Sequence, residues 1–157
     1  MVVVERVSYL GVALVVATVL TACAPGTPDA DSGRGDATRS VGDVISAVQT
    51  AQLALKQSTE GNVHHAYLQT VLVDAERNGG MAAQKLSAVQ PPEVEMRRAS
   101  DVDDQLEQAT GLLQDARIAA VAHHADEYAD LVRQLEKTAR QLMELETSLE
   151  KPPETAR

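Results

Sequence analysis

Apolar side chains recur every three or four residues along most of this chain, the spacing that places them on one face of an α-helix. Four segments share this pattern, and together they predict an all-α fold. In chain order, their inward-facing positions are Val41, Val44 or Ile45, Val48, Ala51 and Leu55; Leu68, Leu72, Ala75, Gly79, Ala82, Leu86 and Val89; Val102, Leu106, Ala109, Leu113, Ala116 and Ala120; and Tyr128, Leu131, Leu135, Thr138, Leu142, Leu145 and Leu149.

Helix-breaking residues separate most of these segments. Ser40 suits a helix start, Gly61 ends the first segment, and paired prolines follow the second and the fourth. No Gly or Pro lies between the third and fourth segments, so a single helix from Asp101 to Leu149 is an alternative to a turn near Ala122. Gly79 and Gly80 lie inside the second segment, where Gly79 either kinks the helix or lets a neighbouring helix approach closely; close approach is the favoured interpretation.

The two halves of the pattern resemble each other at an offset near 58 residues. Leu55 matches Leu113, the pair His64-His65 matches His123-His124, and both halves end in two prolines. Because Gly61 breaks the first half, this repeat favours a break in the second half as well. Two helical hairpins then pair into an up-down-up-down four-helix bundle over residues 41–150, followed by a disordered tail at 151–157.

The amino-terminal segment has a different character. An apolar run from Val7 to Leu20 is too short to span a membrane and has the length of a signal-peptide core. It ends in Leu20-Thr21-Ala22-Cys23, which contains the only cysteine of the chain and resembles the lipobox of bacterial lipoproteins. The resemblance implies a signal peptide at 1–22, cleavage before Cys23, and acyl chains on Cys23 that anchor the protein at the extracytoplasmic face of the cell membrane.

Residues 23–40 are rich in Gly, Pro and small polar side chains, and they predict a flexible linker between the lipid anchor and the bundle. Together with the four helical segments, this organisation resembles the small four-helix, membrane-tethered lipoproteins of unassigned function found in high-GC Gram-positive bacteria. The resemblance rests on pattern, so it transfers no catalytic residue to this chain.

Charge and composition narrow the possible partners. The net charge of -9 disfavours nucleic acid and direct adhesion to anionic headgroups, both of which require clustered Lys or Arg. The chain has no Trp or Phe, which argues against an aromatic-lined ligand pocket. No motif for a nucleophile, haem or another cofactor is present, so we expect a protein that is not an enzyme and holds no cofactor.

The four histidines are the remaining candidates for chemistry. They lie in two adjacent pairs, His64-His65 and His123-His124, which the bundle topology brings to the same end. Extending the helical spacing backwards predicts that His65 and His124 face inward, while His64 and His123 point aside. A helix amino terminus disfavours imidazolium, so these rings could bind zinc or copper as neutral ligands, with Glu60, Asp126 or Glu127 completing the site.

Solvent-exposed histidines at the end of the bundle are the alternative, and the sequence favours it because adjacent residues of a helix diverge by about 100°. We therefore expect a non-catalytic interaction or accessory module of the cell envelope, anchored by lipid and binding an envelope protein. An extracytoplasmic metal-binding protein is the alternative function.

Overall fold

The computed structural model describes residues 30–88 and 96–151, and the side chains from Gly35 onwards. Within these ranges the chain forms helices α1 (Ala30–Thr59), α2 (His65–Ser87), α3 (Met96–Val121) and α4 (Tyr128–Glu150), with a 3₁₀ turn at Ala125–Glu127, and no strand. The all-α prediction is confirmed. The predicted signal peptide, Cys23, the first part of the linker and residues 152–157 of the tail lie outside the described residues.

The helices form a four-helix bundle in which neighbours along the chain are antiparallel. α1 packs extensively against both α2 and α4, α3 packs against α2 and α4, and α1 meets α3 across the core. The amino-terminal half of α1 lies beside the end of α4, since a Cβ on Gly42 would lie 2.9 Å from Glu146 Oε1. The guanidinium of Arg98, at the start of α3, donates to the carbonyl of Ser148, near the end of α4. The α1–α2 and α3–α4 turns therefore share the opposite end.

The inward faces are those that the apolar spacing predicts. Every predicted position within the described residues is buried, except that Leu86 and Leu145 are partly buried and pack against the core; Val89 lies outside these residues. Alanines occupy many core positions, which lets the helix axes approach closely. The core therefore consists of leucines and valines interleaved with small side chains.

At Gly79 the absence of a side chain makes room for neighbouring helices. A Cβ built on Gly79 would lie 2.7 Å from Leu113 Cδ1 on α3 and 3.5 Å from Ala47 Cβ on α1. Gly80 faces open space, where no described atom lies within 4 Å of such a Cβ. The favoured interpretation of Gly79 is confirmed: α2 runs on through both glycines, and the missing side chain makes room for Leu113.

α1 is longer than the sequence predicts. It begins at Ala30 instead of Ser40, so the predicted linker at 23–40 is wrong over residues 30–40. Gly35 weakens a helix, but Ala37 packs against the core and Ser40 is only 2% exposed on the same face as Val44. Burial of this inward face extends the helix into a region where local composition favours a loop.

The third and fourth segments are separate helices. α3 ends at Val121 and α4 begins at Tyr128, so the predicted turn near Ala122 is confirmed and the continuous helix is wrong. A repeat alignment that pairs the two His-His sequences does not describe the structure. His64-His65 leads into α2, whereas His123-His124 follows the end of α3, because the buried stripe of α3 continues through Ala116 and Ala120 before the break.

Candidate functional site: the histidine end of the bundle

The α1–α2 turn ends α1 with a Schellman motif. The Gly61 N–H donates to the Ser58 carbonyl (3.1 Å), and the Asn62 N–H donates to the Gln57 carbonyl (2.9 Å). Gly61 has a φ of 75°, the left-handed conformation that this motif requires and that glycine adopts without a steric penalty. These bonds satisfy two of the carbonyls that the helix end leaves free.

The α3–α4 turn repeats this geometry with histidines. The His123 N–H donates to the Ala120 carbonyl (3.2 Å), and the His124 N–H donates to the Ala119 carbonyl (2.9 Å). His123 has a φ of 60°, and it is the one residue other than glycine with a positive φ in the described part of the chain. A left-handed conformation costs a residue with a Cβ about 1–2 kcal/mol, so this turn holds His123 at an energetic cost.

The turn brings His123 against His65, the first residue of α2. The two imidazole rings are stacked, with centroids 4.0 Å apart and planes inclined by 19°. His65 is partly buried, and no described residue offers a hydrogen-bond partner to its buried Nε2 atom. The structure therefore joins one histidine from each hairpin.

The other two histidines lie outside this stacked pair. His64 precedes α2, is exposed, and makes no side-chain capping bond within the described residues. His124 Nδ1 lies 3.2 Å from Glu127 Oε1, and both side chains are more than half exposed. The prediction that His124 faces inward is wrong, because it precedes α4 in a turn to which helical spacing does not apply. His123 is exposed and does not face the core, as predicted, but its ring stacks on His65.

The carboxylates predicted to complete a metal site have other positions or partners. Glu60 Oε2 accepts hydrogen bonds from the side-chain amides of Gln57 and Asn62, each at 3.0 Å. Glu127 lies beside His124, and Asp126 is exposed. Across residues 30–88 and 96–151, no group of three or more His, Cys, Asp or Glu side chains could together hold a metal ion. Of the four histidines predicted as ligands, the structure brings His65 and His123 into contact with each other.

Tyr128 begins α4 just after this turn. Its side chain is 3% exposed, and burial raises the pKa of its phenol above the ordinary value of 10.0. Tyr67, the third residue of α2, is 60% exposed. The two tyrosines of the described residues therefore sit near the same end of the bundle in opposite environments.

A second surface feature lies between α2 and α3, and the sequence analysis missed it. Gly80 and Gly111 line an open groove together with the exposed Val73 and Met81. An ion pair between Arg117 and Glu76, each side chain about 30% exposed, lies in the same groove. Glycines outside the inward-facing stripes were the available signal, since such positions favour neither core packing nor helix stability.

The chain has no match among protein-family models, curated proteins or solved structures. None of the described helices combines the length and the apolar character needed to cross a membrane.

Proposed function

We propose that this protein is a lipid-anchored lipoprotein at the extracytoplasmic face of the cell membrane, where its bundle serves as a non-catalytic interaction module for an envelope protein. The lipobox sequence at Leu20–Cys23 supports the anchor. The observation that carries the interaction role is the open groove between α2 and α3, which lies on a bundle whose core is already filled.

The position of the anchor fits this role. α1 begins seven residues after Cys23, a length of chain that spans at most about 25 Å when fully extended. The helix then runs for 30 residues, or about 45 Å. The proposed anchor would hold the end of the bundle where α1 starts near the bilayer. The groove would then lie along the body of the bundle and the histidines at the opposite end, within reach of another envelope protein.

The groove suits an amphipathic helix of the partner. Two antiparallel helices form its walls, and the missing side chains of Gly80 and Gly111 allow close approach. Val73 and Met81 offer apolar contacts, while Arg77 and Glu107 provide charges of both signs along the lining. Helices recognised in grooves use this combination of apolar anchors with flanking polar contacts.

Replacing Gly111 by lysine tests the groove directly. No described atom lies within 4 Å of a Cβ at Gly111 or at Gly35, which is exposed on α1 and distant in sequence from the groove-lining residues. Gly35→Lys is therefore a control with the same chemical change. After mild crosslinking and detergent extraction, we expect the wild type and Gly35→Lys to recover the same envelope protein, and Gly111→Lys to recover at least tenfold less. Equal recovery by both variants, or recovery of this chain alone from the wild type, would contradict the interaction role.

The anchor has an independent test in Cys23→Ser. Metabolic labelling with radioactive palmitate should mark the wild-type protein in the membrane fraction and leave the serine variant unlabelled, because the hydroxyl cannot form the thioether that carries the lipid. Equal labelling of both proteins would place the lipid elsewhere, and no labelling of the wild type would remove the anchor from the proposal.

A further inference from the structure

Cationic side chains surround the end of the bundle where α1 starts and α4 ends, and the interaction role does not use them. All four helices contribute to this basic rim, which consists of Arg39 on α1, Lys85 on α2, Arg97 and Arg98 on α3, and Lys151 directly after α4. We propose that the basic rim docks on the anionic phospholipid headgroups of the bilayer and holds the bundle upright. The inference rests on the lipid anchor of the proposed function, which brings this end to the membrane.

Contacts between α1, α3 and α4 place their rim residues at one level of the bundle. The Arg98 guanidinium donates to the carbonyl of Ser148, within one helical turn of Lys151. A Cβ on Gly42, within one turn of Arg39, would lie 2.9 Å from a carboxylate oxygen of α4. The three helices therefore present their cations on the same end face.

The lysine on α2 reaches nearly the same level. Gly79 passes Ala47 of the antiparallel α1, with 3.5 Å between a Cβ on the glycine and the alanine Cβ. Counting the same number of residues from this contact along both helices brings Lys85 opposite Val41, close to Arg39. At about 1.5 Å of rise per residue, the whole basic rim spans about 6 Å along the bundle axis.

The rim arginines differ from the other arginines of the described chain because they have no carboxylate partner. Ion pairs with an Asp or Glu side chain are formed by Arg77, Arg117, Arg133 and Arg140. No residue of the basic rim forms such a pair within the described residues, and Arg98 donates to a main-chain carbonyl instead. The rim therefore keeps its positive charge available for an external anion.

Two of the rim arginines occupy positions that a helix disfavours. Arg97 and Arg98 lie in the first turn of α3, where the helix dipole repels cations, and that turn holds no acidic residue. Lys85 and Lys151 lie at helix carboxyl ends, which favour cations, so the fold alone accounts for them. An anionic surface beyond the start of α3 would offset the repulsion of the arginines. Met96 beside them is 52% exposed, and such apolar groups enter the headgroup boundary.

The net charge of -9 does not prevent this contact, because the acidic surplus lies away from the rim. The histidine end has one lysine, Lys56, and carries the acidic residues Glu60, Asp126, Glu127 and Asp130. About 20 residues of α1, or about 30 Å, separate Arg39 from that end. Charges more than about 10 Å apart are largely screened at 0.1 M salt, so the distant acids contribute little at the membrane.

Cations also outnumber acids at the rim itself. Among the described residues, Glu150 and Asp36 are the acids at or beyond its level, against five cations. Asp43, Asp101 and Glu146 lie further from this end of the bundle. No single stretch of the sequence clusters the rim cations, and the fold assembles them.

The test uses the full-length, naturally processed protein, purified in detergent and reconstituted into vesicles. The vesicles contain phosphatidylcholine alone or with about 30% phosphatidylglycerol, and labelled headgroups act as acceptors of fluorescence energy transfer. The chain has one cysteine, which the anchor consumes, so Ser100→Cys beside the rim or Ala129→Cys at the histidine end adds one free thiol for the donor. We expect energy transfer from position 100 to be higher in the anionic vesicles, and transfer from position 129 not to rise.

Charge variants give the quantitative arm. Lys85→Gln/Lys151→Gln removes two rim cations, and Lys56→Gln/Lys137→Gln is a matched control that removes two exposed lysines elsewhere. Each cation near an anionic surface changes the ratio of docked to undocked protein about fivefold, so the rim pair should lower this ratio about 25-fold. Arg97→Gln alone should lower it about fivefold, and about 0.5 M salt should abolish docking. Donor lifetimes resolve the two populations, and the control should match the wild type.

The outcomes separate the docking from the anchor. Wild-type protein that floats with both kinds of vesicle but gives equal transfer in them would overturn the docking and leave the anchor intact. An equal loss in the control pair and the rim pair would also overturn it, since the effect would then follow total charge. Wild-type protein that floats with neither kind of vesicle would contradict the anchor, and the docking with it.

Discussion

The two turns at the histidine end have the same backbone geometry but use different residues. Each ends its helix with the same pair of backbone hydrogen bonds, but one places Gly61 in the left-handed conformation and the other places His123 there. The conformation is therefore set by the helix ends and the packing around them, and glycine is the less costly way to reach it. The second turn has backbone strain that the first avoids, and the imidazole of its left-handed residue stacks on His65.

The two hairpins closed by these turns also differ in how extensively their own two helices pack together. α1 packs extensively against α2, whereas α3 and α4 make fewer contacts with each other. The second hairpin is held by α3 packing on α2 and by α4 packing on α1. The two hairpins therefore differ in their internal packing, although the two halves have similar apolar patterns.

The largest expected effect comes from truncating one buried leucine in each hairpin. Leu55 on α1 and Leu113 on α3 are each completely buried. Leu55→Ala and Leu113→Ala should each lower the free energy of unfolding by about 3 kcal/mol in urea titrations, because each leaves a cavity in the shared core. The exposed Leu53→Ala should change it by less than about 0.5 kcal/mol. A small loss for one core variant would show that one hairpin is not part of the common core.

The turns themselves give the next test. Gly61→Ala should lower the free energy of unfolding by about 1 kcal/mol, since alanine in the left-handed region is strained. His123→Gly should raise it by about 1 kcal/mol in a His65→Ala background, where relief of strain acts alone.

In the wild-type background the gain from His123→Gly should be smaller, because the ring contact is also lost. That contact should appear in the double-mutant cycle as a coupling of about 0.5–1 kcal/mol. A coupling of zero would mean that the stack contributes nothing to stability, and a loss for His123→Gly in both backgrounds would contradict the claim of backbone strain.

Alanine substitutions at the adjacent Gly79 and Gly80 of α2 separate the effect of core packing from that of helix propensity. Gly79→Ala should lower the free energy of unfolding by about 1 kcal/mol, because its Cβ would collide with the buried Leu113 and the clash outweighs the gain in helix propensity. Gly80→Ala should raise it by up to about 1 kcal/mol, since its Cβ enters open space. Thermal and urea unfolding of the two variants should move in opposite directions; the same direction for both would contradict the close approach of α2 and α3.

The smallest effect concerns the tyrosines. Burial raises the pKa of Tyr128 in the folded protein, so the folded state retains its phenol proton at pH values where the unfolded chain loses it. Stability from this residue is present below about pH 10, the unfolded pKa, and falls as the pH rises towards the higher folded value. Tyr128→Phe should therefore reduce the loss of stability above pH 10 in urea titrations across pH. A profile identical to that of the wild type would contradict the shift.

Much of the helical architecture followed from the sequence because burial repeats with the period of the helix. The inward positions from Val41 to Leu149, the close approach at Gly79, and the break after α3 were all predictable on that basis. The start of α1 was not predictable in this way. The packing of Ala37 and Ser40 outweighs the low helix propensity of this glycine-containing segment.

The histidine end was only partly predictable. Topology brought the two pairs to the same end, but helical spacing gave the wrong partner for His65, because His123 and His124 belong to a turn with its own backbone geometry. The groove between α2 and α3 was not predictable because it depends on which exposed helix faces lie side by side. Periodicity identifies the face that is buried and does not specify the neighbour of an exposed one.

Mass spectrometry of the amino-terminal peptide from purified membranes tests the proposed function most directly. The account predicts that the first residue is Cys23, carrying a diacylglyceryl group on its sulfur, with no peptide from residues 1–22 attached. An unmodified Cys23 within an intact chain that starts at Met1 and is recovered from the cytosol would contradict it.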